Sequence, residues 1–330
     1  MTRKTMYTLH SRSVPGPGGA SQEVQKAISE TPVPDVAKWQ KIAPESPAQW
    51  AELIAQMDEA EKSFIADYLS KAKVAVEPDK IGGVPVYHVS PAKVEVRLES
   101  QLFVLVHGGG YVSGAGEAGL AEAMLIASQA GVRVLAIDYR MPPAHPFPAG
   151  LDDVVEVYGH LLGKRPAKSI VLGGSSAGGG LALASVHRFK EDGLELPGAV
   201  FAGTPWSDLT KTGDSYYVNE GLDRALVSYE GVLAAAAELY AGKNDLTNAL
   251  ISPIYGEFEG FPPVLLISGS RDLFLSCTIR AHAKLRLAAV IADLLVFEGI
   301  SHGDYAFLLD SPESRLYYKE LKSFMLQHLI

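Results

Sequence analysis

The sequence predicts an α/β fold in which a mostly parallel eight-stranded sheet lies between layers of helices. Short, continuously apolar runs recur along the chain, and stretches with helical spacing of apolar residues separate them. Strands that are apolar throughout are buried on both faces, as in parallel sheets covered by crossover helices. The strand-like runs fall at 74–78, 85–89, 102–107, 132–138, 169–174, 198–203, 264–269 and 293–298.

Helical patterns complete the predicted architecture. The first two strand-like runs are expected to pair antiparallel through the turn at Gly82-Gly83. Two helical patterns, at about 21–29 and 46–72, precede the first strand, so we expect residues 1–72 to form an N-terminal cap and residues 73–330 the α/β domain. The helices expected between and after the strands lie at about 117–130, 150–162, 177–192, 276–290 and 312–329.

Composition excludes several classes of protein. The 330 residues are 47% hydrophobic, which is ample for a large core. The net charge is −9 and no run of Lys and Arg occurs, which argues against nucleic-acid binding. The single cysteine, Cys277, allows no intrachain disulfide and no cysteine-based zinc site, which favours a reducing, cytoplasmic setting. The first 20 residues do not resemble a signal peptide, and no apolar stretch is long enough to span a membrane.

A strand–turn–helix motif supplies a candidate nucleophile. The run SIVLGG is followed by Gly174-Ser175-Ser176-Ala177-Gly178 and then a helix, which is the G-x-S-x-G pattern in its required context. Of the two serines, Ser176 alone has glycine at both −2 and +2, where side chains would collide with neighbouring backbone. A plain Gly/Ser turn that packs a helix closely is the alternative interpretation. A Walker loop is excluded because no Gly-Lys-Ser/Thr follows.

A second glycine-rich turn supplies candidate hydrogen-bond donors. The strand at 102–107 leads into His107-Gly108-Gly109-Gly110, the HGGG-type motif whose backbone N–H groups form the oxyanion hole of esterases. We assign the donors to the N–H groups of Gly108, Gly109 and Ala177. His107 itself is expected to be structural, since a histidine before such glycines hydrogen-bonds the loop more often than it reacts.

The order of the chain then selects a base and an acid. In this arrangement the acid and the histidine follow the serine in sequence. His302 lies in a loop directly after the run at 293–298, whereas the other late histidines lie in helical patterns. Asp272 is the first carboxylate after the run at 264–269 and is expected to orient the imidazole. Glu298 and Asp304 flank His302 and are weaker alternatives for the acid.

Together these residues resemble the bacterial hormone-sensitive-lipase-like esterases of the α/β-hydrolase fold. The resemblance runs from about Val74 to the end of the chain, and its most specific part is the stretch DYRMPPAHPFP at 138–148, which we interpret as loop architecture. It implies an N-terminal helical cap over the active site, hydrolysis of short-chain esters, no metal and no cofactor. It also implies that homodimers form through the edge of the last strand.

The sequence departs from this family at two positions beside the predicted site. Ser175 stands where the family usually has Asp or Thr, and Asp304 stands where an aromatic residue commonly follows the catalytic His-Gly. Cys277 is expected to be a packed side chain and not a rival nucleophile. The expected substrates are small, uncharged esters with acyl chains of about C2–C6; a lactone or another specialised ester is the alternative, and a non-catalytic receptor is disfavoured because the triad is intact. The expected walls of the substrate pocket are Tyr111, Trp206, Tyr216 and Leu222.

Overall fold

A central sheet organises the molecule. The computed structural model describes residues 13–69 and 73–330, and within them eight strands form one sheet in the order β1-β2-β4-β3-β5-β6-β7-β8. β1 and β2 pair antiparallel, β2 and β4 pair antiparallel, and the remaining neighbours are parallel. The strands are β1 (Val74–Ile81), β2 (Val84–Pro91), β3 (Leu102–Val106), β4 (Val134–Ile137), β5 (Ile170–Ser175), β6 (Ala199–Gly203), β7 (Val264–Gly269) and β8 (Ala292–Phe297).

Helices cover both faces of this sheet. The central strands β3, β4, β6 and β7 are buried along their whole length, and β5 is buried up to its last residue, as continuous apolar runs require. Side chains on the two faces pack into two separate hydrophobic clusters. The helices are α1 (Gln22–Glu30), α2 (Val36–Trp39), α3 (Pro47–Leu69), α4 (Ala121–Ala130), α5 (Ala149–Leu162), α6 (Ala177–Glu191), α7 (Ser215–Val218), α8 (Val232–Ala241), α9 (Leu275–Leu287), α10 (Asp304–Phe307) and α11 (Pro312–His328).

The N-terminal helices meet the sheet beside its glycine-rich turn. Trp50 of α3 is buried in one of the two hydrophobic clusters. About two helical turns later, the Asp58 carboxylate accepts a hydrogen bond from the N–H of Gly114 at 2.8 Å, which fixes α3 against the segment after the glycine-rich turn. The predicted boundary at residue 72 falls outside the described residues, as do residues 1–12 of the segment judged not to be a signal peptide, so the division into cap and α/β domain stays a prediction.

The segment between β6 and β7 contains helices that the sequence pattern left unassigned. No helix was predicted between the strand-like runs at 198–203 and 264–269, yet this segment contains α7 and α8. α8 has the sequence VLAAAAELYA and packs Leu233, Ala236 and Ala237 inward. Among residues 13–69 and 73–330, no helix has both the length and the apolar character needed to cross a membrane.

Candidate active site

Ser176 occupies a strained turn between β5 and α6. Its backbone has φ 62° and ψ −126°, a conformation that costs energy for a residue with a side chain and that persists only where the surroundings enforce it. The Ser176 N–H donates to the carbonyl of Gly203 at 2.8 Å, and its own carbonyl accepts from the N–H of Trp206 at 2.9 Å. These bonds tie the turn to the end of β6 and leave the side chain at the N-terminus of α6, where the helix dipole favours negative charge.

The glycines on either side of Ser176 are required by close backbone contacts. A Cβ atom on Gly174 would lie 1.9 Å from the carbonyl oxygen of Val106, and one on Gly178 would lie 2.0 Å from the same atom. The elbow therefore packs directly against the end of β3. This is the collision that the G-x-S-x-G spacing predicted for side chains at −2 and +2.

Ser175, the other serine of the motif, has a different set of contacts. Its hydroxyl donates to Oε1 of Glu122 at 2.5 Å, and its N–H donates to Oε2 of the same carboxylate at 3.2 Å. Burial raises the pKa of Glu122 to about 7, against the lowering effect of the two Ser175 hydrogen bonds, and the nearby Glu61 raises it further. The Ser175 hydroxyl thus hydrogen-bonds to a buried carboxyl group, so the two serines of the motif have different environments.

The turn after β3 presents backbone N–H groups to the same space. Gly109 has φ +100° and Gly110 has φ +63°, so glycine is needed at both positions. Across the described ranges, the N–H groups of Gly108, Gly109 and Ala177 donate to no other protein atom. Gly108 lies against the elbow, since a Cβ there would be 3.4 Å from the Cβ of Ser176. Backbone donors without partners next to a serine side chain are the arrangement that an oxyanion hole needs.

His107 and the DYR stretch support this turn from behind. The His107 ring is buried, its Nδ1 lies 2.8 Å from the Gly108 carbonyl oxygen, and it stacks on Tyr139 with ring centroids 4.2 Å apart. Burial lowers the pKa of His107. The Tyr139 hydroxyl donates to the His107 carbonyl at 3.0 Å, while Arg140 forms an ion pair with the buried Asp153 at 2.7 Å. These contacts hold the loop in shape.

Asp272 and His302 lie together at the carboxyl ends of β7 and β8. The His302 Nδ1 is 3.0 Å from Oδ1 of Asp272, and the Asp272 side chain is fully buried. Of the two alternative acids, Glu298 is exposed and has no contact with the imidazole, and Asp304 lies near the ring without a hydrogen bond to it. The sequence order and the geometry therefore select the same carboxylate.

Asp272 is held by more donors than His302 alone. Its Oδ2 accepts hydrogen bonds from the hydroxyls of Ser268, at 2.8 Å, and Thr204, and its Oδ1 accepts from the N–H of Phe274 at 2.8 Å. The Thr204 hydroxyl also lies 3.0 Å from the His302 Nδ1. The sequence analysis did not select Thr204. Its position as the first residue after β6, at the carboxyl end of a central strand, is the signal that would have identified it.

Three carboxylates control the charge of His302. Burial lowers the pKa of the imidazole, but the charge and hydrogen bond of Asp272, together with the charges of Asp223 and Asp304, outweigh it, so the net pKa is raised. Asp304 is itself crowded: burial and the neighbouring Asp223 raise its pKa to about 6, although His302 lowers it. The surroundings thus stabilise a positive charge on this ring, as a base that becomes an imidazolium requires.

Ser176, Thr204 and His302 line one cavity of about 310 Å³ together with the glycine turn. The four residues predicted as its walls lie elsewhere, so that assignment is corrected. Tyr111, Trp206 and Tyr216 are almost completely buried in the core, since aromatic partners surround them, and Leu222 does not reach the cavity. The apolar part of the wall consists instead of Met57, Val112, Leu226, Val232, Leu233 and Phe307.

Cys277 lies in α9 behind this site and is fully buried. The Tyr216 hydroxyl is 3.2 Å from its Sγ. Burial raises the pKa of the thiol to about 12, against the smaller lowering effect of the Tyr216 hydrogen bond. A thiol that stays protonated at neutral pH is a poor nucleophile, and Cys277 does not line the cavity.

The fold and this geometry define a class of protein. The family model described as the alpha/beta hydrolase fold matches residues 103–306, and the chain belongs to that family. Within it, the chain is similar over nearly its whole length to the solved structure of esterase E25, with 49% identity, a TM-score of 0.96, and coverage of 98% of this chain and 99% of that one. It is also similar to an esterase of the bacterial hormone-sensitive lipase family, with 28% identity, a TM-score of 0.79, and coverage of 93% and 98%. The predicted resemblance is thereby confirmed.

Curated relatives match over shorter stretches. An acetyl-hydrolase of Streptomyces hygroscopicus is 34% identical over 178 residues, 54% of this chain and 59% of the relative. An esterase of Acinetobacter venetianus is 29% identical over 227 residues, 68% of this chain and 74% of the relative. The chain therefore spans about three fifths of the first relative's length and about three quarters of the second's.

Proposed function

We propose that this protein is a serine carboxylesterase that hydrolyses short-chain, uncharged esters through an acyl-enzyme on Ser176. One observation carries the proposal: His302, whose Nδ1 is 3.0 Å from Oδ1 of Asp272, and the strained Ser176 line one cavity together with Gly108 and Gly109 of the glycine turn. The similarity to solved esterases along the whole chain supports it.

The proposal gives each group a role. Ser176 Oγ attacks the ester carbonyl while the imidazole of His302 takes its proton. Asp272, on Nδ1, holds the ring in the tautomer whose Nε2 can accept, and stabilises the imidazolium that forms. The N–H groups of Gly108, Gly109 and Ala177 bind the oxyanion. The alcohol leaves with the proton from His302, and water then cleaves the acyl-enzyme by the same groups.

The cavity supports the substrate class. A volume of about 310 Å³ suits a small ester, and none of the described residues that line the cavity is a Lys or Arg that could pair with a negatively charged acyl or alcohol group. Carboxyl groups of Asp58 and Glu61, from α3, also border it, and they disfavour substrates that carry a carboxylate. One relative is named an acetyl-hydrolase, which fits the same size range. The proposal includes a small-molecule ester as the substrate. It also includes a cytoplasmic setting, which the single cysteine favours, and a homodimer, which the family resemblance implies.

The decisive experiment compares the two serines of the elbow. In Ser176→Ala, we expect kcat for p-nitrophenyl acetate to fall by up to about 10⁶, because the nucleophile is lost. In the matched variant Ser175→Ala, the hydroxyl bound to Glu122 is lost and the nucleophile is kept, so the loss should be far smaller. Less than a tenfold loss in Ser176→Ala would contradict the proposal, and equal losses in both variants would remove Ser176 as the assigned nucleophile.

A further inference from the structure

A buried carboxylate outside the triad joins the loops that carry the proposed acid and base. Asp223 lies between α7 and α8 and is fully buried. Its Oδ2 accepts a hydrogen bond from the N–H of Leu273 at 2.8 Å, next to Asp272 in the chain. Its Oδ1 lies 3.4 Å from the N–H of His302, which donates to it. One side chain therefore contacts the backbone of both loops, from positions 50 and 79 residues away in sequence.

The same carboxylate also shapes its own segment. Asp223 Oδ1 accepts from the N–H groups of Ala225, at 2.9 Å, and Leu226, at 3.1 Å, which closes a tight turn. Leu226 is one of the apolar side chains that line the cavity. Through the Asp223 carboxylate, this turn fixes the position of Leu226 in the cavity wall relative to the loops that carry Asp272 and His302.

Residues beside Asp223 in sequence also hydrogen-bond to the loops that carry Asp272 and His302. Asn219 donates its side-chain amide to the Asp272 carbonyl at 2.8 Å, and the Asp223 N–H donates to the Asn219 carbonyl at 2.9 Å. On the other side, the Arg224 N–H donates to the hydroxyl of Ser301 at 3.2 Å, one residue before His302. The segment from 219 to 226 is therefore fastened to both loops, and Asp223 is at its centre.

The charge of Asp223 also acts on the imidazole. The ionisable groups that face His302 are Asp272 from the loop after β7, Asp223 from the segment between α7 and α8, and Asp304 from its own loop, while Arg224 lies beside Asp304. All three carboxylates favour the imidazolium, so removing any one of them lowers the pKa of His302. Burial and the charge of Asp272 raise the pKa of Asp223. The charge of His302 and the hydrogen bonds that Asp223 accepts from the backbone of Leu273 and Leu226 lower that pKa.

We propose that Asp223 is a positioning residue for the reaction. Its carboxylate fixes the loop of Asp272 to the loop of His302 and sets both against the cavity wall at Leu226. This inference rests on the proposed function, because it assumes that the pair Asp272–His302 serves Ser176. It adds a fourth side chain on which the geometry of the triad depends and which does not itself contact the substrate.

The test uses Asp223→Asn in the full chain, with p-nitrophenyl acetate as substrate. The amide has the same shape but can accept fewer N–H donors and has no charge. We expect kcat to fall about 100-fold, since small displacements of catalytic groups have effects of this size, while KM changes less than about threefold. We also expect the acidic limb of the kcat/KM profile to move to lower pH, because the imidazole has lost a neighbouring negative charge.

The matched control is Asp208→Asn. Asp208 is also fully buried, lies in the same segment between β6 and β7, and accepts the N–H and hydroxyl of Thr210 and a contact from Arg280, but none of its hydrogen bonds reaches the loops of Asp272 or His302. It should lose stability in thermal unfolding while keeping kcat within about threefold and the acidic limb in place. A shift of the limb is the readout that a purely structural role would not produce.

The outcomes separate the two claims. Retained activity in Ser176→Ala ends the proposed function itself. If Ser176→Ala is inactive but Asp223→Asn keeps both kcat and the acidic limb, or loses kcat only to the extent that Asp208→Asn does, the positioning role of Asp223 is wrong. If Asp223→Asn does not fold, Asp223→Glu is used: it keeps the charge and displaces the carboxylate, so kcat should fall at least about tenfold with the acidic limb unmoved, and an unchanged kcat overturns the inference.

Discussion

The two sides of the active site are built by different means. On the nucleophile side, backbone lies against backbone: Cβ atoms on Gly174 and Gly178 would collide with the carbonyl of Val106 at 1.9 and 2.0 Å. On the acid–base side, side chains hold the loops: Asp272 accepts four hydrogen bonds and Asp223 joins two loops. Steric exclusion shapes the first side and hydrogen bonding the second.

This difference predicts how each side fails. Replacing Gly174 or Gly178 on the nucleophile side introduces atoms where no space exists, so such a substitution should act mainly on folding. A change on the acid–base side removes a donor or acceptor while the loops keep their packing, so it should act mainly on the rate of the reaction. Substitutions on the two sides test whether they differ in this way.

Leaving aside the loss of the nucleophile in Ser176→Ala, the largest effect is expected on the acid–base side, in Asp272→Asn. The amide can present an N–H to the His302 Nδ1, which selects the wrong tautomer of the ring, and kcat should fall on the order of 10⁴-fold, as it does in protease triads. The control is Asp304→Asn, whose carboxylate makes no hydrogen bond to the ring; its kcat at the plateau of the pH profile should change less than about tenfold. Comparable losses in both variants would mean that the charge near His302 matters and that the direct contact of Asp272 does not.

The next effect is expected on the nucleophile side, in Gly178→Ala. Its Cβ would lie 2.0 Å from the carbonyl oxygen of Val106 and 2.7 Å from that of His107, so α6 or β3 must move. The free energy of unfolding should fall by about 3 kcal/mol or more, measured by denaturant titration. Gly159→Ala is the matched change in α5, where the new Cβ meets nothing within 4 Å, and it should gain about 0.5–1 kcal/mol. A folded Gly178→Ala with unchanged stability would refute the steric account.

The same contrast explains what the sequence could predict. The nucleophile side depends on short local patterns, and residues 107–110 and 174–178 were found directly because glycine has few other reasons to occur at such spacings. Asp272 and His302 followed from their order along the chain and from their positions after strands. The eight strands were predicted within a few residues of their observed bounds, because these runs are too short for helices and alternate with longer helical patterns.

What the sequence did not predict depends on contacts between distant residues. Nothing local marks Asp223 as a joint between two loops, since its partners are 50 and 79 residues away. The aromatic residues Tyr111, Trp206 and Tyr216 follow strands, but position along the chain does not say whether a ring faces a cavity or the core beneath it. Glu122 does have a local signal: it lies in AEAMLIA, the otherwise apolar first seven residues of α4, where a buried acid needs a partner.

Glu122 gives the smallest of the expected effects and the one that depends on pH. Its pKa is raised from 4.5 to about 7 in the folded protein, chiefly by burial. Between these values the folded chain keeps the proton and the unfolded chain has released it, so this group makes stability fall as pH rises from 4.5 to about 7. Gln at this position does not titrate and lacks that fall.

The stability of Glu122→Gln relative to the wild type should therefore increase between pH 4.5 and 7, on the order of 1–3 kcal/mol. Urea titrations at both pH values measure it, and Glu191→Gln, an exposed change near the end of α6, is the control that should show no such trend. If the gain is absent, Glu122 is ionised beneath Ser175 throughout this range. The nucleophile side would then also depend on a charged side chain, and the contrast between its steric construction and the hydrogen-bonded acid–base side would be weaker.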